Sequence, residues 1–403
     1  MSNTILTHQM VAREAAKILS EEMSFIMNVN RNREDDMTAK VNGYKKGGTL
    51  KIKIPPPSKV YDGATFAGGG AADDQTETYV SSTISTQKHV PLSFTAVEKA
   101  LSLEEFKERF LKPAMSTLLS TVQADMLTKT YSQIPNLVGT AGTVPSTAKI
   151  YSQARGVLER HLAPGSPRTA LISSDANIEL VDASKTLFNP NKEIADLFKK
   201  GYLSSYADMD FFENQALPIH TNGNKVAGVQ VNGASQTGST LNIKGVANAD
   251  TFKKGTVFTI ANVYETHPLT NAALPNLRQF VITADATMSG TTGSISIWPA
   301  IDATAPGTTV SALPADSAAL TIVGSASTGY RQNLIWQRDA IACAFAPLPV
   351  LASCEGYTFD ADGVSLRVMT FGDGKADMEH TRIDVLYADP VLVYRDHAVR
   401  VTE

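Results

Sequence analysis

Cysteine and tryptophan are scarce in this sequence, with two of each in 403 residues. Cys343 and Cys354 are too few for the disulfide framework of a secreted domain, and they fit a reducing cytosol. A basic surplus is also missing: 36 Lys and Arg stand against 40 Asp and Glu, a formal net charge of −4. General nucleic-acid binders carry an excess of cations that displaces counterions from phosphate, so this balance argues against that class. Long apolar runs are absent as well. The longest low-polarity stretch, residues 340–354, is interrupted by Pro347 and Pro349 and falls well short of the roughly 20 residues a membrane span needs. Residues 1–30 lack a basic region followed by a pure apolar stretch, so no signal peptide and no membrane partner are expected.

What is present is an ordinary globular composition, 43% hydrophobic and 19% charged. The length suggests two to three domains, and a chain of this size buries about three quarters of its unfolded surface without staples. Met10, Val11, Ala15, Ile18, Leu19, Phe25 and Ile26 recur at helical spacing, which predicts an amphipathic N-terminal helix. Thr49-Leu50-Lys51-Ile52-Lys53-Ile54 alternates with period 2 and stops at Pro55-Pro56-Pro57. After Gly68-Gly69-Gly70 the alternation resumes over 78–94. Two such strands around a polar tip are marginal alone, so this ribbon is expected to lie on something else. Ser102 and Glu105 form a capping box for a long helix over 102–132, about 45 Å in length, which Pro113 should kink or divide. Residues 139–219 read as mixed helix and strand, with a buried strand over 169–173 and a helix over 191–200.

Charge then thins out. Only ten of the 108 residues in 223–330 are charged, against 66 of the other 295. Short β-type runs at 225–231, 240–243, 256–263, 279–284, 294–298 and 319–323, separated by turn residues, predict a small all-β barrel or sandwich inserted in the chain. Residues 333–403 return to ordinary charge density and end in strands at 382–387 and 391–394.

Catalytic signatures are wanting. The seven histidines (8, 89, 161, 220, 267, 380 and 397) include no pair at helical zinc spacing. Asp360-Ala361-Asp362-Gly363 resembles part of a calcium loop, but Val364 stands where a ligand is needed, so a turn is expected. Cys343 sits in an apolar run and reads as an inert buried thiol. Glu104, Glu105 and Glu108 suit a solvated first helical turn, and Asp73, Asp74 and Glu77 have no partner base nearby. No phosphate-cradling loop or serine-hydrolase elbow occurs. The expectation is a protein that is not an enzyme, with no catalytic residue, cofactor or metal.

The order of parts, helix, β-ribbon, long helix, mixed domain with an all-β insertion, terminal strands, resembles the major capsid (coat) proteins of tailed bacteriophages. The residues that carry it are Gly47-Gly48-Thr49-Leu50-Lys51-Ile52-Lys53-Ile54-Pro55 and Leu101-Ser102-Leu103-Glu104-Glu105-Phe106, followed by Phe110 and Pro113-Ala114. They continue in Phe198-Lys199-Lys200-Gly201-Tyr202, Phe211-Phe212-Glu213-Asn214 and Leu217-Pro218-Ile219-His220-Thr221-Asn222-Gly223. The charge-poor segment starts where the podovirus branch inserts a β-barrel, and Lys253-Lys254-Gly255-Thr256-Val257-Phe258-Thr259-Ile260 is similar to that domain.

The resemblance implies an α+β chain with the Hong Kong phage capsid fold and an inserted all-β barrel. Its parts would be an N-terminal arm (1–40), an extended loop or β-ribbon over a neighbouring subunit (41–95) and the spine helix of a peripheral domain (96–138). An axial domain (139–222), the barrel (223–330), a return to the axial domain (331–350) and peripheral strands (351–403) would follow. Implied partners are the chain itself, in pentamers and hexamers, a separate scaffolding protein, a portal protein, a decoration protein, and packaged double-stranded DNA held by weak non-specific contact. The virion would be its place and the host bacterial cytoplasm its site of assembly. Because the arm starts at Met1, no proteolytic maturation is expected. Ribbon lysines 45, 46, 51, 53 and 59 are crosslink candidates by location, with solvated edge lysines the preferred reading. The alternatives are another virion protein, such as a tail-tube or decoration subunit, and a glycan-binding protein, for which Trp298 and Trp336 would be the only tryptophan platforms.

Overall fold

The computed structural model describes residues 24–31, 48–56, 58, 60–61, 63–64, 77–95, 107–184, 205–304, 307–361, 363–373 and 378–403. The predicted helix up to residue 23, the triglycine loop, the capping box at Ser102 and Glu105, and the helix at 191–200 lie outside them. The described residues form two compact units. One is drawn from Met1–Ile52, Val80–Lys129 and Ile341–Val391, the other from Lys53–Tyr79, Thr130–Ala340 and Leu392–Glu403.

Chain order begins with a single turn, α1 (Ser24–Met27), that buries Phe25 and Ile26. In β1 (Thr49–Ile54) the period-2 pattern is realised, Leu50 and Ile52 turning inward while Thr49, Lys51 and Lys53 face solvent. β2 (Thr78–Thr95) has 18 residues, about 60 Å of extended chain, with Ser82 and Ile84 buried. A π-helical stretch, Lys107–Leu111, passes into the α-helical α2 (Lys112–Tyr131). The change of pitch falls one residue before Pro113, which has no N–H to give to either ladder, so the predicted break appears as a switch of helix type. Met115, Leu118, Leu119, Val122, Met126 and Leu127 form the buried stripe of α2.

Next come β3 (Asn136–Val138), α3 (Ala148–Arg160), β4 (Arg168–Ile172), α4 (Ser174–Ser184), β5 (Ser205–Tyr206), β6 (Met209–Glu213) and β7 (Ile219–Thr221). The charge-poor stretch supplies β8 (Gln230–Val231), β9 (Gly238–Lys244), β10 (Thr251–Phe252), β11 (Val257–Thr266), β12 (Ala273–Ile282), β13 (Ala286–Thr287), β14 (Thr292–Ile301) and β15 (Leu320–Ile322). The chain closes with β16 (Gly329–Gln337), β17 (Ile341–Ala342), β18 (Glu355–Ala361), β19 (Val364–Asp373), β20 (Met378–Ala388), β21 (Val391–Leu392) and β22 (Ala398–Thr402). The protein is thus α+β with sheets predominating.

Three sheets organise it. A five-stranded sheet has the order β1-β2-β20-β19-β18. The hairpin between β18 and β19 turns at the pair Ala361↔Val364, so the Asp/Gly run is the expected turn, with Gly363 at φ 73° where a side chain would strain the backbone. A six-stranded sheet has the order β15-β11-β12-β14-β9-β8, and its two outer strands are bonded together: Val231 N–H donates to Ala318 O at 2.9 Å and Leu320 N–H to Val229 O at 3.0 Å. Its hydrophobic core gathers Leu241, Ile243, Phe258, Ile260, Phe280, Ile282, Ile295 and Ile297. Five of the six runs expected in 223–330 coincide with strands, and of 225–231 only Gln230 and Val231 do.

The third sheet runs β3-β22-β16-β4-β6-β5, with β7 also paired to β16. Its core with α3 gathers Tyr151, Leu158, Ile172, Phe211, Ile335 and Val401. β22 lies between β3 and β16, and all five of its residues are buried, as in strands covered on both faces. β16 is central to this sheet, whereas residues from Ile341 to Val391 belong to the other unit.

Candidate assembly surfaces and buried charged joints

The ribbon is the first candidate. From Ile84 to Thr95, β2 pairs with β20, from Ala388 to Met378. The preceding residues of β2 continue past that partner alongside β1, where Ile84 N–H donates to Gly48 O at 2.9 Å. At the change, two residues of β2 (Ile84 to Thr86) oppose one step of β20 (Ala388 to Tyr387), a β-bulge that bends the strand. Farther along, Lys53 Nζ lies 2.7 Å from Glu77 Oε2, both largely solvated. Lys51 points outward too, while Lys45, Lys46 and Lys59 lie outside the described residues. Val60, Tyr61 and Tyr79 are exposed apolar side chains, Val60 by 88%.

At the bulge stands a polar knot. Lys129 Nζ, near the end of α2, donates to Asp389 Oδ1 at 2.7 Å and Thr86 Oγ1 at 3.0 Å, and lies 2.9 Å from Asp125 Oδ2. Tyr387 Oη–H donates to Asp125 Oδ2 at 2.7 Å. Burial opposes both charges, yet hydrogen bonds and the opposite partner hold Lys129 above and Asp125 below their ordinary values.

The second candidate is the root of the six-stranded sheet, where its few charges concentrate. Arg278 on β12 donates through Nη2 to Asp396 Oδ1 and Oδ2 at 2.8 and 3.0 Å. The guanidiniums of Arg278 and Arg395 lie over Trp298, at 6.0 and 5.1 Å from its ring centre. On β11, Glu265 is 3% exposed and receives Arg160 Nε–H at 3.3 Å. Burial raises its carboxyl despite Arg160 and Arg278. His161 is buried 3.9 Å from that carboxylate, and burial pulls its imidazole down to about 4. Burial lowers His397 as well; its ring nitrogen meets His161 O at 3.1 Å. Gln279 imitates a strand: it accepts from Leu137 N–H at 2.7 Å and donates to Leu137 O at 2.9 Å, so it caps the free edge of β3.

A second buried arginine completes the root. Arg400 Nη1–H donates to Gly255 O at 2.9 Å, and its guanidinium lies 5.8 Å from the Tyr131 ring. Desolvation pulls it down to about 10, so it stays charged at neutral pH. Nearby His220 meets Asn222 Oδ1 at 3.1 Å and Thr256 Oγ1 at 3.2 Å, and burial lowers it to about 4. His161, His220 and His397 were legible in the sequence only as isolated histidines. Glu265 and Arg278 carried a signal that went unused: isolated charges flanking β-type runs of a charge-poor segment.

The other sequence candidates do not converge. Cys343 is buried beside Met126, Sγ to Sδ 3.9 Å, and burial pushes its thiol up to about 12, the inert thiol expected. Among the described residues no three His, Cys, Asp or Glu side chains gather as a metal cage, and no helix is long and apolar enough to cross a membrane. Trp336 is fully buried in β16 and Trp298 is covered by arginines, so neither offers a sugar platform. Glu104, Glu105, Asp73 and Asp74 lie outside the described residues.

Residues 213–401 match the family model described as P22 coat protein, gene protein 5. No curated protein matches significantly. Among solved structures, one from Mycobacterium phage Che8 overlaps 94% of this chain and 91% of its own at 12% identity and a TM-score of 0.47. The capsid of Cyanophage P-SCSP1u overlaps 89% and 84% at 12% identity and a TM-score of 0.41. The CUS-3 coat protein I-domain overlaps 25% of this chain and 97% of its own at 24% identity and a TM-score of 0.19. Residues 213–401, a little under half of the chain, are therefore similar in sequence to the coat-protein family, and this supports a major capsid protein of the tailed-phage kind.

Proposed function

We propose that the chain closes with copies of itself, as pentamers and hexamers, into an icosahedral shell around the double-stranded DNA of a tailed phage of the podovirus type. The observation that carries this is the coat-family match over residues 213–401. In this reading the chain has the Hong Kong phage capsid fold, and 223–330 is an inserted barrel. Residues 1–40 are the arm, 41–95 the extended loop, 96–138 the spine helix, 139–222 the axial domain, and 331–350 and the strands after 350 its continuation and the peripheral domain. Closure of a shell needs many modest self-complementary and head-to-tail contacts. A strand that runs past its sheet offers backbone and side-chain surface of the standard interface size, about 1,600 Å² in total, without a large flat patch.

The role is structural and not enzymatic, with assembly in the host cytoplasm on a separate scaffolding protein and around a portal, and with a decoration protein as a further partner. Packaged DNA meets a mildly acidic chain of net charge −4 and is held by weak, non-specific contact, because there is no cationic surplus to neutralise phosphate. Negative-stain microscopy and sedimentation velocity on the chain co-expressed with the scaffolding protein encoded beside it test the reading. Uniform closed shells are expected; monodisperse small oligomers at every salt and protein concentration would refute it.

A further inference from the structure

We propose that Lys129 is the positioning residue that fixes the direction in which the β1–β2 ribbon leaves its sheet, and thereby the uniformity of the shell. The proposal rests on the reading that the ribbon seats on a neighbouring copy. Three observations meet at one place. The bulge at Ser85 is where β2 gives up β20 and continues with β1, and a bulge is a bend with no ladder hydrogen bond to define it. Asp389, just past the end of β20, grips both sides of that bend: its N–H donates to Thr83 O at 3.1 Å, its carbonyl accepts Ser82 Oγ–H at 2.6 Å, and its Oδ1 accepts Ser85 Oγ–H at 3.0 Å. Lys129 then ties this grip to the helix, using its three donors on Asp389, Asp125 and Thr86.

The geometry distinguishes positioning from bulk stability. Lys129 and Asp389 side chains are 31% and 44% exposed, so the pair is screened and contributes little to global folding. The helix carries its own buried stripe, and the paired part of β2 is held by its ladder with β20. The bend is held to residue 389 by backbone bonds, but its tie to the helix is this side-chain knot. Breaking the knot frees the angle of the ribbon while leaving both neighbours folded.

The test compares parent chain, Lys129→Met, Asp389→Asn and the double variant, each co-expressed with the same scaffolding protein. Particle size and closure are read by microscopy, unfolding by heat, and backbone protection by hydrogen exchange. Expected is a melting temperature close to the parent, faster exchange in 78–84 with 86–95 unchanged, and open or mixed-size particles in place of uniform shells. The double variant should be no worse than either single one, because all three break the same contact. If Lys129→Met fails to fold, Asp389→Asn carries the same prediction. Uniform parent-like shells from the folded variants would overturn the proposal and leave the capsid reading standing, as would defects that add in the double variant. A parent chain that makes no shell removes the capsid reading and this proposal together.

Discussion

In the five-stranded sheet β2 continues beyond its partner, and β1 and β18 are left as edges; in the six-stranded sheet the outer strands β8 and β15 bond to each other. Both are antiparallel ladders, yet they solve the problem of unpaired strand groups in opposite ways. Closure removes the edge and leaves a sheet that needs nothing else. Projection keeps an edge and needs a partner, with Lys51 and Lys53 pointing outward from β1 to discourage indiscriminate pairing. Charge placement differs accordingly. The projecting strand is braced by half-solvated ion pairs, whereas the closed sheet keeps few charges and commits two of them, Glu265 and Arg278, to its buried root.

The sharpest way to break that contrast is to remove a buried charge at the root. Arg278→Met strands Asp396 without its cation while Glu265 keeps Arg160, and is expected to destabilise the second unit by about 3–5 kcal/mol, read as a lowered denaturant midpoint. An equal loss from Lys53→Met on the ribbon would erase the distinction. Acidification comes next. His161 and His220 titrate near 4 in the fold against about 6.5 in an unfolded chain. Each is neutral when folded, so its stabilisation is full above pH 6.5 and is lost as the pH falls toward 4, about 3 kcal/mol apiece. His397 has the same sign. Glu265, raised by burial, has the opposite one and offsets part of the loss. Denaturant midpoints between pH 7 and 4.5 should fall, and His161→Gln with His220→Gln should flatten the slope.

Smaller effects sharpen the picture of how the closed sheet is joined. A Cβ at Gly223 would overlap the Thr251 carbonyl, so Gly223→Ala is expected to cost about 1–3 kcal/mol, measured by thermal unfolding. At the irregularity in β11 opposite β12, the register slips between Thr259 and Tyr264 and Asn262 takes φ 63°. Asn262→Gly fits that conformation at little penalty, and a change within about 0.5 kcal/mol is expected by the same assay.

Much of the fold was legible because one side of each strand must be apolar. Leu50 and Ile52 announced β1, and the turn-separated runs of 223–330 announced the strands that close on themselves. Pro113 marked the change of helical pitch. β16 and β22 were hidden for a physical reason: a strand buried on both faces loses its alternation, and Arg400 and Gln332 in such strands look like solvent positions although both are buried. The joints were harder still. Nothing local to Arg278 says that its carboxylate partner waits at residue 396, because long-range ion pairs are chosen by topology, which spacing along the chain does not encode.

The chain enters the charge-poor segment along β7 and returns along β16, and these two strands are paired, Thr221 opposite Gly329 and His220 opposite Tyr330. Asn222 N–H also donates to Thr328 O and Ser327 N–H to Gly223 O. Start and end of the segment are therefore one strand spacing apart, about 4.8 Å. A fold attached through such a narrow doorway can be lengthened, shortened or exchanged for a foreign module with adjacent termini while its host sheet keeps the same register. The doorway is in this sense a cloning site made of hydrogen bonds, at which a subunit can acquire cargo without renegotiating its own topology.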